Sequence, residues 1–148
     1  MRNKIDCIHF VTGDILNPST EYPLPYATVI PVNCEGVMGA GLAKQFATKY
    51  PHLFNEYKAQ CEDKRIRIGN IGCSCDNGRW FVYFPTKDHW REDASIEAVI
   101  MGMESWHNEL YFGSMCPMPT LFPKLACGLG PVAMVTAAEA TETFQRKA

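Results

Sequence analysis

The chain is predicted to be an α/β domain built on a mixed sheet. Strand-like runs alternate with helix-like ones, two of the strands feed directly into glycine turns, and Asn77-Gly78 joins two other strands as a hairpin. Helices between strands call for parallel pairing, whereas the hairpin adds an antiparallel pair, so the sheet is mixed. At 148 residues a single domain around one core is the default. A chain of this size buries roughly two-thirds of the surface that it exposes when unfolded.

The elements follow in order. Ile5 to Val11 is rich in β-formers and ends at Thr12-Gly13-Asp14, which reads as a first strand running into a turn. Pro18, Pro23 and Pro25 then exclude regular structure until Ala27. Ala27 to Val32 is almost wholly apolar, the pattern of a strand covered on both faces, and it stops at Asn33. Leu42, Phe46, Lys49 and Tyr50 recur at helical spacing within Met38 to Tyr50, and Pro51 ends that helix. A second helix is expected from about His52 to Cys61.

Ile66 to Cys73 and Trp80 to Phe84 read as strands joined across Asp76-Asn77-Gly78, and Pro85 closes the second. A helix starts at about Ser95, a good N-cap residue, with Ile96, Val99, Ile100, Met103 and Leu110 on one apolar face. Leu121 to Cys127 reads as a further strand that runs into a second turn, Gly128-Leu129-Gly130. Ligands of open α/β sheets bind at the carboxyl ends of the strands, so both glycine turns are expected to face one cleft.

Composition excludes several classes. The 47% hydrophobic and 20% charged fractions match an ordinary soluble protein. No apolar run approaches the 18 or so residues of a membrane span, and Met1-Arg2-Asn3-Lys4 leads into no secretory core, so a cytoplasmic protein without a membrane partner is expected. Seven cysteines, an odd number in a chain able to fold without staples, favour reduced thiols. Cys73-Ser74-Cys75 lacks the spacing of a zinc pair, and no matching pair follows, so no metal is expected. The net charge of −2 offers nucleic acid no general attraction, and the local stretch Lys58, Lys64, Arg65 and Arg67 reads as a solvated face.

The segment carrying most chemistry is Asn33-Cys34-Glu35-Gly36-Val37-Met38-Gly39-Ala40-Gly41. A strand that turns through glycines into a helix presents free N–H groups and a positive helix end to an anion. A Cβ at Gly39 or Gly41 would hold a phosphate away from the backbone or block positive φ. The run matches neither the nucleotide-hydrolysing P-loop nor the Rossmann fingerprint. Taken alone it reads either as a phosphate cradle or as a tight connection.

Four ordered segments resemble the macrodomain family. These are Val11-Thr12-Gly13-Asp14-Ile15, then Val32 to Ala43 with its Met-Gly-x-Gly loop, then Phe84-Pro85-Thr86-Lys87-Asp88-His89-Trp90-Arg91, then Pro123-Lys124-Leu125-Ala126-Cys127-Gly128-Leu129-Gly130. The resemblance covers about Ile5 to Gly130 and is strongest to the branch of DNA ADP-ribosyl glycohydrolase antitoxins and terminal ADP-ribose glycohydrolase. It implies a three-layer α/β/α fold and an ADP-ribose ligand, with neither a cofactor nor a metal required and a monomer expected. Many phage and bacterial members are of this type.

By resemblance, Asp14 would accept a hydrogen bond from the adenine amino group, with Ile15 beside it; a turn or cap is the alternative. Asn33 would contact the distal ribose, or else satisfy its own turn. Gly36, Val37, Met38, Gly39, Ala40 and Gly41 on one side, and Cys127, Gly128, Leu129 and Gly130 on the other, would enclose the diphosphate and ribose, with Thr86 alongside. Lys87 matches the lysine that acts at the anomeric carbon. A neighbouring cation such as Arg91 could favour its neutral form; outside this motif it would read as an exposed loop lysine. His89 fits a proton shuttle, a nucleic-acid contact or a structural group equally well. Trp90 could stack on a base, but the apolar area of a tryptophan favours a core anchor.

Two departures from the family stand out. Gly130 occupies the place of the acid in the terminal glycohydrolases, which matches the antitoxin branch and leaves Asp88 or Glu35 as motif-less candidates for that acid. From Pro131 to Ala148 the chain lacks the family's usual tail; it reads as weakly amphipathic, helix-tolerant sequence without a terminal strand, so that either the sheet is one strand short with an exposed edge or the tail is replaced or truncated, and reduced stability is expected. The expected function is hydrolytic removal of ADP-ribose from a modified nucleic acid or protein, with ADP-ribosylated DNA among the candidate partners. The alternatives are dephosphorylation of ADP-ribose 1″-phosphate and ADP-ribose binding without chemistry.

Overall fold

A computed structural model describes residues 8–112, 118–125 and 132–135, with side chains described for 10–109 and 118–125. Its elements in chain order are β1 (Ile8–Val11), β2 (Tyr26–Val32), α1 (Gly41–Lys49), α2 (Pro51–Glu62), β3 (Gly72–Asp76), β4 (Arg79–Pro85), α3 (Ile96–Phe112), β5 (Thr120–Phe122) and β6 (Val132–Val135). The strands form one sheet in the order β1-β6-β5-β2-β4-β3. β2 pairs in parallel with β4 and β5, while β1 with β6, β5 with β6, and β3 with β4 are antiparallel. The mixed sheet read from the sequence is thus the observed one. No described helix is long and apolar enough to cross a membrane.

The apolar run of β2 has the expected cause. Alternate strand residues point to opposite faces, and Tyr26, Ile30 and Val32 join Phe46, Leu53, Tyr57, Phe81 and Tyr83 in the core beneath α1 and α2. Ala27 and Val29 face the other way and join Val82, Phe84, Trp106 and Phe122 beneath α3. Both faces are covered, which gives three layers. The β3–β4 hairpin turns at Asn77 and Gly78 with φ of 50° and 84°, the positive pair that a tight primed turn requires. Tyr50 separates α1 from α2: its N–H donates to the Phe46 carbonyl, and its own carbonyl accepts from Leu53 and Phe54. Pro51 then opens α2 at a position that needs no N–H.

Three expectations are corrected. Residues 66–71 are not strand; a turn closed by mutual Arg67–Asn70 hydrogen bonds, with Gly69 at φ 83°, delays β3 until Gly72. The apolar face expected on α3 is rotated: Ile96 and Ile100 are 67% and 51% exposed, and the buried line is Ala98, Gly102 and Trp106. Small residues let the helix approach Phe84, and Trp106 fills the space beyond, donating from Nε1 to Thr120 Oγ1 at 3.3 Å. Finally, the tail expected to supply no strand provides β6, inserted between β1 and β5. Val132, Met134 and Val135 are good strand residues once two partners are available, a tertiary effect that overrides weak helical tolerance.

Gly102 tests the α3 approach. A Cβ there would lie 2.5 Å from two Phe84 ring atoms, and that ring is fully buried. Gly102→Val is expected to cost about 2–3 kcal/mol through overpacking. A thermal melt reads this, and an unchanged melting temperature would contradict the close contact.

Candidate active site

β1, β5, β2 and β4 all run in one direction, because β6 is antiparallel to both β1 and β5. Their carboxyl ends therefore lie along one edge, and the segments leaving them line a cleft of about 890 Å³. Its wall takes Gly13, Asp14 and Ile15 after β1, residues 86–87, 90 and 92–94 after β4, and Pro123 and Lys124 after β5. The end of β2 contributes Pro31, Val32 and Asn33. Among the described residues, β5 pairs with β2 only at Ala27 and Thr28, and no described strand pairs with that side of β2 beyond them. An unpaired strand side is where a proline, lacking an N–H, is tolerated, and Pro31 occupies it.

The glycine turn forms one wall. Val37, Gly39, Ala40, Gly41, Leu42 and Ala43 line the cleft, Ala40 is an extended N-cap residue, and Gly41 enters α1 at φ 58°. No side chain caps this helix and its first turn carries no acid, so its N–H groups and positive end are available to an anionic ligand. Gly36 and Met38 are not on the wall. Gly36, at φ 82°, backs against Lys58, and Met38 is buried in the core under α1.

Asn33 holds this turn together from inside. Its Oδ1 accepts from the Glu35 and Val37 N–H groups at 3.0 and 3.4 Å and from the Tyr57 hydroxyl at 3.0 Å, while its Nδ2 donates to the Val37 carbonyl at 2.8 Å. The turn-forming alternative weighed for Asn33 is therefore realised, and the residue also lines the cleft. Tyr57 OH lies 2.8 Å from the Asn33 carbonyl as well, and burial raises the phenol's pKa, keeping it a neutral donor.

The segment after β4 is tied to the same turn. Cys34 N–H donates to the Asp88 carbonyl at 3.0 Å, and its thiol lies 3.8 Å from the Lys87 carbonyl. Burial, with the Asp88 charge adding to it, pushes that thiol up to about 12, so Cys34 stays protonated and does not serve as a nucleophile near neutrality. Glu35 accepts from the Trp90 N–H at 3.2 Å and bonds His89 Nδ1 at 2.7 Å. Lys87 is half-buried on the cleft wall, and its ammonium donates to the Trp90 carbonyl at 3.2 Å. Thr86, buried beside it, donates its N–H to the Val32 carbonyl at 3.0 Å, which joins the ends of β2 and β4.

His89 is exposed, outside the cleft wall, and acts as a clasp between the two loops. The hydrogen bond to Glu35 raises its pKa above the ordinary 6.5, with the charges of Asp88 and Glu92 adding to the effect. A raised folded-state value means that the charged clasp is complete below about pH 6.5 and is lost as pH rises through the raised value. An NMR titration of His89 should give a midpoint above 6.5 that Glu35→Gln moves back down; an unshifted midpoint would contradict the pairing.

At the other end of the cleft, Asp14 accepts from the Leu16 N–H at 3.0 Å and from Asn17 Nδ2 at 3.2 Å. The Leu16 bond is the main cause of its lowered pKa, so the carboxylate is a standing acceptor. It is both a turn cap and a cleft residue. Arg79 secures this loop by donating to the carbonyls of Ile15 at 2.8 Å and Leu16 at 3.0 Å, with its guanidinium 4.8 Å over the Phe81 ring.

Asp14, Ile15, Asn33, Val37, Gly39, Ala40, Gly41, Thr86 and Lys87 thus meet in one cleft. Cys127, Gly128, Leu129 and Gly130 lie outside the described residues. Trp90, for which a core anchor was favoured, is instead 50% exposed on the cleft wall, and Arg91, considered as a neighbour of Lys87, places its guanidinium over that ring at 4.7 Å. Sequence reasoning missed Glu92 and Asp93, the wall's carboxylates in the Lys87 segment. Their signal was position: two acids between the strand end at Pro85 and the cap at Ser95 belong to a loop at the ligand-binding edge. The described cysteines Cys34, Cys61, Cys73 and Cys75 are free thiols.

Comparison with known proteins places this geometry. The chain is 35% identical over 100 residues to the DNA ADP-ribosyl glycohydrolase of Mycobacterium tuberculosis, a match covering 65% of the chain and 27% of that protein. The chain therefore spans about a quarter of the length of the curated relatives that it matches. Among solved structures it is similar to the macrodomain of Thermus aquaticus DarG, with a TM-score of 0.68 and 29% identity over 92% of the chain and 86% of that structure. It is also similar to Thermosipho africanus DarTG in complex with ADP-ribose, with a TM-score of 0.61 and 29% identity over 72% of the chain and 31% of that structure. No family model matches the chain.

Proposed function

Because the chain belongs to the macrodomain family, in the branch of the DarG macrodomains, we propose that it is a hydrolase removing ADP-ribose from a modified macromolecule. The observation carrying this reading is the placement of one half-buried lysine, Lys87, on the wall of a cleft that is also lined by the start of α1 and the glycine turn before it. A cleft of about 890 Å³ is within the range of small-molecule and cofactor sites. The diphosphate rests against the N–H groups at the start of α1, Asp14 receives the adenine amino group, and the distal ribose presents its anomeric carbon to Lys87.

Lys87 acts either by attack of its neutral amine on the anomeric carbon or by polarising the bond to be broken. Glu92 and Asp93 supply carboxylates for the proton that the departing group takes up and the water gives back. The relatives named as DNA ADP-ribosyl glycohydrolases favour a DNA conjugate as substrate. The test is a titration with ADP-ribose followed by product analysis on ADP-ribosylated DNA, ADP-ribosylated protein and ADP-ribose 1″-phosphate. Release of free ADP-ribose from a conjugate is expected. Tight binding with no turnover would identify a binding module, and phosphate release alone a phosphatase; either result overturns the reading.

A further inference from the structure

We propose that Trp90, backed by Arg91, is the platform on which the nucleobase bearing the ADP-ribose stacks, making it a specificity-determining residue for a nucleic-acid conjugate. This rests on the glycohydrolase reading of the cleft. The group attached to the anomeric carbon must lie next to the residue that acts there, and Lys87 donates to Trp90's own carbonyl at 3.2 Å. The Trp90 ring lines the same cleft as that amine, which makes it a surface for the group leaving from the sugar.

The ring is suited to a planar aromatic partner. It lines the cleft while remaining half exposed, so part of its surface is open to a ligand. The Arg91 guanidinium stacks on it at 4.7 Å, and a cation stacked on an indole adds to the attraction for a base. Its backbone is tied on both sides, the N–H to Glu35 at 3.2 Å and the carbonyl to Lys87, so the platform is preorganised relative to the reacting amine. Stacking also suits the charge of this wall. Glu92 and Asp93 lie on it with Lys87, and the chain has a net charge of −2, so a stacked base gives a hold on a strand that does not depend on its phosphates.

The test compares the wild type with Trp90→Ala and Trp90→Phe on an oligodeoxynucleotide carrying ADP-ribose on a base and on a peptide carrying it as a glutamate ester, with free ADP-ribose binding measured by calorimetry. Trp90→Ala is expected to lower kcat/KM for the oligonucleotide about ten- to hundredfold, the usual range for loss of one stacked base. Trp90→Phe should retain most of the activity, and the peptide ester and free ADP-ribose should change by less than about threefold. An equal loss on both conjugates, no loss on the oligonucleotide, or weakened binding of free ADP-ribose would overturn the proposal. A binding arm separates it from the catalytic reading. If the wild type turns over neither conjugate yet binds the modified oligonucleotide more tightly than free ADP-ribose, and Trp90→Ala abolishes that gain, the platform stands and the hydrolase reading falls.

Discussion

Lys87→Ala is expected to lower turnover of an ADP-ribosyl conjugate by about 10²–10⁴-fold, the range lost with one positioned acid, base or nucleophile, while the Kd for ADP-ribose changes by only a few-fold. The separation follows from the architecture of the cleft. The diphosphate cradle belongs to α1 and its preceding turn, whereas Lys87 belongs to the segment after β4, and the one described bond of its ammonium is to the Trp90 carbonyl of that same segment. Removing the amine therefore leaves the glycine turn and its Asn33 support in place. Lys87→Arg separates the two roles, because a guanidinium stays charged: it keeps a polarising cation but cannot attack as a neutral amine. Single-turnover assays and calorimetry read the two quantities independently. Unchanged turnover in Lys87→Ala would remove the lysine from the mechanism, and loss of ADP-ribose binding with no loss of stability would make it a binding residue instead.

Asn33→Ala is expected to have the second largest effect, on stability and binding together. The substitution removes the donor to the Val37 carbonyl and the acceptor for the Glu35 and Val37 N–H groups, and it takes one of two acceptors from the buried Tyr57 hydroxyl. Buried polar groups that lose a partner cost about 1–3 kcal/mol, so a total of about 3 kcal/mol is expected. For a chain of this size that lowers the melting temperature by about 6–12 °C. Because Val37 and the glycines beyond it line the cleft, ADP-ribose binding should weaken at least tenfold. Asn33→Asp keeps the acceptor but loses the donor, and should fall between the two. A variant with the wild-type melting temperature and undiminished ADP-ribose affinity would show that the turn holds its shape without this side chain.

Both predictions concern residues that the sequence already singled out, but for different reasons. Lys87 was identified by resemblance within a motif block; β4 ends at Pro85 and the lysine two residues on lines the cleft. Asn33 was read as either a ribose contact or a turn residue. The choice depended on Tyr57, 24 positions away on α2, which no local pattern connects to it.

The sequence by itself determined the elements whose causes are local. The two-faced apolar run of β2, the positive-φ turn at Asn77 and Gly78, the end of α1 before Pro51, and the Ser95 cap, whose Oγ accepts from the Ala98 N–H at 3.0 Å, each follow from a few adjacent residues. It also determined that a glycine turn would open a helix at the ligand edge. Only the tertiary structure decided which face of α3 is buried, since close approach to Phe84 favours Ala98 and Gly102 over the bulkier Ile96 and Ile100. It likewise decided that Val132–Val135 becomes a strand between β1 and β5, because strand partners supply the backbone hydrogen bonds that a short weakly helical run cannot provide for itself. The exposure of Trp90 and the Glu35 clasp on His89 have the same origin: they depend on contacts between residues more than 50 positions apart, and a side chain's environment at that range is set by packing rather than by its neighbours in sequence.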